Sequence, residues 1–190
     1  MVILASASPR RKQLMKELVP SFTIIVPEID ESLSFKNFTD VKDIVSDIAT
    51  RKCQKISKDH HNDLVIAADT VVVIENEIIG KPKDPEDAFR MLKKLSGKTH
   101  YVYTAYVIMK DGNSLINVVE SEVTFNELSD DLINSYVASG SPLDKAGGYG
   151  YQDNADFALV KKINGSVTNV IGFPVEDIKE DLKIFLQSLL

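Results

Sequence analysis

Leu64-Val65-Ile66-Ala67-Ala68-Asp69-Thr70-Val71-Val72-Val73-Ile74-Glu75-Asn76-Glu77-Ile78-Ile79-Gly80-Lys81-Pro82 is the stretch that decides the fold. Its Val- and Ile-rich run reads as a buried strand, interrupted at the centre by Asp69 and Thr70. A carboxylate inside a packed strand loses hydration worth several kcal/mol unless a cation, metal or donor faces it. Glu75-Asn76-Glu77 reads as a short hairpin loop, and Ile78 to Lys81 as the returning strand. With Asn76 at the apex, Val71 lies opposite Lys81, and Asp69 and Lys81 become diagonal neighbours roughly 7 to 8 Å apart on one face. Pro82 biases Lys81 toward extended backbone, and Gly80 leaves room for a ligand against the main chain. On these residues alone, a ligand cleft and a structural ion pair at a hairpin edge are both open readings.

Outward from this stretch, composition narrows the function classes. A chain of 190 residues with 44% hydrophobic content suffices for one domain spanning 1–190 and burying roughly 70% of its unfolded surface. The net charge of -6 and pI of about 5.1 give no general basic field for nucleic acid or an anionic membrane, so an anion must be held locally. The single cysteine, Cys53, excludes an internal disulfide framework and a multi-cysteine zinc site, and reads as packing on a helix. No run of 18 apolar residues exists and the N-terminus lacks a signal pattern, so the expectation is a soluble cytoplasmic protein.

Local anion sites are easy to find. Val2 to Ala5 reads as a strand, and Ser6-Ala7-Ser8-Pro9 as a loop opening a helix capped by Ser8. Arg10, Arg11 and Lys12 then crowd the first turn, where the helix dipole already disfavours positive charge. Ser6, Ser8 and two guanidiniums suit a phosphate group, although a solvated basic helix end uses the same residues. No Walker motif is present. Phe22 to Val26 reads as a strand followed by the acids Glu28, Asp30 and Glu31, which are either solvated or oxygen ligands for Mg²⁺ or Mn²⁺. His60 and His61 read as surface loop, and with His100 the only other histidine a nucleophile triad has little to build on.

Further along, Asp84-Pro85-Glu86-Asp87 starts a helix that ends at Gly97, and residues 100–109 and 115–125 read as a long antiparallel hairpin with Tyr101, Tyr103 and Tyr106 half-buried. Ser129 opens another helix. The stretch from Ser139 to Gln152 then carries four glycines in fourteen residues, as suits a backbone that approaches a ligand. In it Lys145 can contact phosphate, and Gln152 has the donor and acceptor needed to read a base edge. Residues 157–163 and 167–170 read as a hairpin over Asn164-Gly165, and a final helix turns Val175, Ile178, Leu182 and Phe185 inward.

The ordered segments Leu4 to Arg11, Ala68-Asp69-Thr70, Gly80-Lys81-Pro82, Leu95-Ser96-Gly97, Asp144 to Gly147, Tyr149 to Gln152 and Gly172-Phe173-Pro174 together resemble the Maf family of nucleoside triphosphate pyrophosphatases, of the inosine-triphosphatase-like fold. The resemblance covers nearly the whole chain. It implies that Asp69 is the proton acceptor or a metal-linked carboxylate, Lys81 an essential cation and Glu31 a further active-site acid. It also implies that Arg11, Thr70 and Gln152 occupy the positions that distinguish members selective for dTTP and UTP, and that the protein is a homodimer. Gly148, Tyr151 and Phe173 depart from the residues usual there.

The combined expectation is an α/β fold, a mixed twisted β-sheet flanked by helices, with two lobes around a cleft. The expected reaction is hydrolysis of dTTP and UTP to monophosphate and pyrophosphate with a divalent cation, Mg²⁺ or Mn²⁺, as a nucleotide-pool clean-up. Asp69 and Glu31 would hold the metal, with Lys81 favouring ionised Asp69; Ser6, Ser8, Arg10, Arg11, Lys81 and Lys145 would hold the triphosphate; Thr70 and Gln152 would select the base. The other reading is a nucleotide-binding regulator of cell division without turnover. Nucleic acid and membrane are not expected partners.

Overall fold

The computed structural model describes residues 1–37 and 39–190. The first apolar run forms β1 (Val2–Ala5), and the Ser8 hydroxyl caps α1 (Pro9–Met15) by accepting the Arg11 N–H. Of the strand expected at 22–26 only β2 (Thr23–Ile24) forms, both residues exposed. Then come α2 (Ser32–Asn37), which the sequence pattern did not announce, and α3 (Val41–Ser57), capped by Asp40. The decisive stretch supplies β3 (Leu64–Ile74) and β4 (Glu77–Ile79). Asp84 caps α4 (Pro85–Leu95), and the long hairpin is β5 (Thr99–Lys110) with β6 (Asn113–Phe125). Ser129 caps α5 (Asp130–Ala138), after which three short 3-10 turns span 141–153. The chain ends with α6 (Asn154–Phe157), β7 (Val160–Asn164), α7 (Val167–Ile171) and α8 (Val175–Ser188).

Among the described residues, the strands make one 7-stranded mixed sheet in the order β2-β1-β3-β5-β6-β7, with β4 pairing β3. The chain divides into two compact units: Met1–Asp69, Thr104–Val119 and Gly172–Leu190 form one, and Thr70–Tyr103 with Glu120–Ile171 the other. In the first, β1 runs parallel to β2 and to β3, with Ala5 paired to Ala67, and α3 buries Ile44, Val45, Ile48, Ala49, Cys53 and Ile56. All four residues expected to turn inward on the last helix are buried. In the second unit, Val72, Ile74, Leu92, Phe125, Tyr136 and Tyr149 belong to one hydrophobic cluster.

Two readings of turns are corrected. Val72 pairs with Ile79 and Ile74 with Glu77, so the turn is Glu75-Asn76, both at positive φ (52° and 63°) as a primed two-residue hairpin requires. A pairing of Val71 with Lys81 would be one residue out, and β4 stops at Ile79, so the register argument for Lys81 beside Asp69 fails. Residues 167–170, expected as a strand, lie in a helical turn. Ser166 Oγ accepts the Asn169 N–H at 3.1 Å, and the buried Asn169 amide donates to the Val102 carbonyl at 3.1 Å and Ser121 Oγ at 2.9 Å. That cap and buried pairing outweigh the β-preference of Val167, Thr168 and Val170.

Candidate active site

Parallel strands offer ligand positions beyond their carboxyl ends. In the first unit, Ser6 directly follows β1, whose last residue Ala5 pairs with Ala67, and Asp69 stands two residues beyond that pair. Strand alternation puts Asp69 on the same face as Val65 and Ala67. Asp69 is buried, 8% exposed as a whole residue, and Oδ1 accepts from Lys52 Nζ at 2.7 Å. The same ammonium lies 2.7 Å from Glu31 Oε1, so one cation joins the central strand to the acidic segment that follows β2. Arg11, half-buried, donates from Nε to the Gly172 carbonyl at 2.8 Å, which fixes the orientation of its guanidinium plane. Ser6 Oγ accepts the Ser8 N–H at 3.1 Å; a hydroxyl used as an acceptor still has a proton to donate.

Electrostatics tie these groups together. Burial raises the proton affinity of Asp69 above that of an ordinary carboxylate, and Lys52 and then Arg11 offset this only in part, while Glu31 adds to it. A neighbouring cation favours the ionised acid, but desolvation is the larger effect here and raises the proton affinity instead. Burial likewise lowers the proton affinity of Arg11; Asp69 and Glu31 oppose the change and Arg10 adds to it.

Lys52 is the residue that the motif reading missed. Its signal was present: on α3 it follows Ile48 by four and precedes Ile56 by four, so it interrupts an apolar stripe as Asp69 interrupts an apolar strand. Two charges breaking two hydrophobic patterns are each other's partners. Glu31, of the three acids near β2, is the one that shares this lysine, and its side chain is half-exposed. Cys53, the next residue on the helix, is buried with its thiol pushed up to about 12 by desolvation, and is packing as expected.

The second unit holds Thr70, Lys81, Lys145 and Gln152. Lys81 is exposed, and the Gly80 carbonyl before it accepts the Gly147 N–H at 3.0 Å, so the hairpin end and the glycine-rich segment meet. Gly147 and Gly148 both have positive φ, and a Cβ at Gly147 would stand 3.0 Å from Val72 Cγ2. These glycines therefore serve turn geometry and close packing on the hairpin. Lys145 is buried, and its ammonium donates to the Ser141 carbonyl at 2.5 Å, Ser141 Oγ at 2.9 Å and Asp144 Oδ1 at 2.8 Å. Three acceptors match its three protons, so Lys145 braces the segment. Gln152 is exposed and Thr70 half-buried.

Among the described residues, no group of three or more His, Cys, Asp or Glu side chains is arranged to hold a metal. Asp69 and Glu31 nonetheless converge on one cation with hard oxygens, and Mg²⁺ or Mn²⁺ commonly takes one or two carboxylates with the rest from water and substrate phosphates. The donor set fits a divalent ion that arrives with a polyphosphate.

Comparison with known proteins finds relatives over almost the whole chain. The chain is 44% identical over 184 residues to a dTTP/UTP pyrophosphatase of Fusobacterium nucleatum, covering 96% of this chain and 94% of that protein. It is 41% identical over 191 residues to a dTTP/UTP pyrophosphatase of Dictyoglomus turgidum, covering 100% and 98%. The solved structure of a HAM1 protein from Coxiella burnetii matches with a TM-score of 0.52 at 16% identity, over 96% of this chain and 98% of that one, a likeness of fold alone. The Maf-like protein family matches residues 1–185, and the chain belongs to that family.

Proposed function

We propose that this protein hydrolyses dTTP and UTP between the α and β phosphates, releasing the monophosphate and pyrophosphate and clearing these nucleotides from the pool. The observation that carries the reading is the buried Asp69, held by Lys52 and kept more basic than an ordinary carboxylate by desolvation. Such a group can take a proton from the attacking water while the lysine fixes its orientation. Relatives covering almost the whole chain are named for this activity. Arg10, Arg11 and Lys81 offset the charge of the triphosphate, and the hydroxyls of Ser6 and Ser8 donate to its oxygens. A divalent ion held by Asp69 and Glu31 would supply further charge neutralisation at the phosphates. Thr70 and Gln152 select the base, and Lys145 braces the segment that presents Gln152.

A regulator that merely binds nucleotide has no use for a basic carboxylate beside a cation, so turnover is the better reading. Among the described residues no helix is long and apolar enough to cross a membrane. A cytoplasmic homodimer acting on free nucleotides, with no nucleic-acid or membrane partner, completes the proposal; its mass in solution checks the dimer. The test of the activity is incubation with dTTP, UTP, CTP and GTP in Mg²⁺ or Mn²⁺. Pyrophosphate from dTTP and UTP is expected. Orthophosphate instead, or no release from either, overturns the proposal.

A further inference from the structure

The glycine-rich segment contains a hydrogen-bond circuit that base reading by itself does not explain. Tyr136, on α5 and fully buried, donates from its hydroxyl to Asp153 Oδ2 at 2.7 Å and accepts the Gly150 N–H at 3.0 Å. One hydroxyl thus grips the chain on both sides of Gln152, two residues before it and one after. The turn is closed internally as well, since the Asp153 N–H donates to the Gly150 carbonyl at 3.1 Å. Ser141 Oγ also donates to Asp153 Oδ2 at 2.7 Å, and Lys145 holds Ser141. The Lys145 stem fills the space beside Gly150: a Cβ there would stand 2.6 Å from Lys145 Cε and 3.1 Å from Gln152 Oε1. The exposed Gln152 amide is therefore mounted on a turn whose anchors lie inside the protein.

A buried tyrosine needs a partner for its hydroxyl, but one would suffice. Here the donor and acceptor capacities are both spent on the Gln152 turn. An amide that distinguishes base edges must be held to within a fraction of an ångström, because discrimination comes from leaving a wrong base's groups unpaired. We infer that Tyr136 and Asp153 are positioning residues for base selection, holding the Gly150–Asp153 turn so that Gln152 meets a pyrimidine in one orientation. This deepens the proposed function and rests on it.

The test is kcat/KM for dTTP, UTP and CTP in wild type, Tyr136→Phe, Asp153→Ala and Asp153→Asn, with amide exchange at 147–153 measured on the same proteins. Tyr136→Phe and Asp153→Ala should lower the preference for dTTP over CTP by about tenfold or more, and speed exchange of the Gly150 amide. Asp153→Asn keeps an oxygen that accepts from Tyr136 and Ser141, and should hold the preference within about threefold of wild type. An equal loss on every base, an unchanged preference, or unchanged exchange in Tyr136→Phe would each overturn the inference. So would a wild type that does not discriminate. Wild-type protein that releases no pyrophosphate from any base would refute the proposed function and remove base selection with it, whereas failure confined to the variants refutes the positioning role alone.

Discussion

Replacing Lys52 with Met keeps an unbranched stem on the inner face of α3 and removes the ammonium that joins Asp69 and Glu31. The side chains of Lys52 and Asp69 are only 13% and 11% exposed, so the variant leaves a carboxylate in a desolvated place with its nearest cation gone. Breaking a buried pair costs about 3 kcal/mol or more. The Glu31 end, 49% exposed, adds less than about 1 kcal/mol. Asp69 already has a raised proton affinity in the wild type, and losing Lys52 raises it further. An acid whose folded pKa lies above its unfolded value binds more protons in the folded state, so its effect on stability worsens as pH rises through that window. The Lys52→Met deficit should therefore be larger at pH 8 than at pH 5. Asp69→Asn removes the charge that needs the cation, and the double variant should recover about 2 kcal/mol relative to the sum of the two single effects. Urea denaturation of the four proteins at both pH values gives the numbers. A Lys52→Met midpoint equal to wild type, or strict additivity in the double variant, would refute the coupling.

His100 is fully buried against Phe125 and Tyr149, and desolvation lowers it to about 4. The unfolded chain then takes up the proton first on acidification, so about 3 kcal/mol of stability present above pH 6.5 should disappear as pH falls toward 4. His100→Phe should flatten that portion of a urea-midpoint profile; an unaltered slope contradicts the assignment. Gly147→Ala places a methyl at φ +73 and 3.0 Å from Val72, and should cost about 2 kcal/mol or more in thermal or urea unfolding. A wild-type midpoint would show that neither the turn nor the packing needs glycine. Cys53 should give no colour with a thiol reagent in the native protein and one equivalent in urea, because burial and a thiol held near 12 remove both access and thiolate. Fast native labelling would contradict its burial.

The helices were legible where a cap and an apolar stripe agreed. Ser8, Asp84 and Ser129 all cap where the sequence placed a start. The β3–β4 hairpin was legible in kind but not in register, since Glu75 and Asn76 each adopt a positive φ that only Asn commonly advertises. One residue of slip was enough to undo the register argument that set Lys81 beside Asp69. The lysine that hydrogen-bonds Asp69, Lys52, lies 17 positions away on another element, and no local spacing rule reaches that far. It was readable only as a charge out of place on an apolar helix face. Residues 167–170 misled because a serine cap and a buried asparagine, both tertiary in effect, outweighed β-branched side chains. The glycines at 147 and 148 were read as room for a ligand, whereas much of their requirement is internal packing.

The central claim is that Asp69 accepts a proton from water attacking a nucleoside triphosphate, and pyrophosphate release from dTTP by Asp69→Asn tests it most directly. Asparagine preserves shape and removes the basic oxygen, so turnover should fall by about a hundredfold or more while the variant still unfolds cooperatively in urea. Pyrophosphate release at the wild-type rate from a folded Asp69→Asn would contradict it.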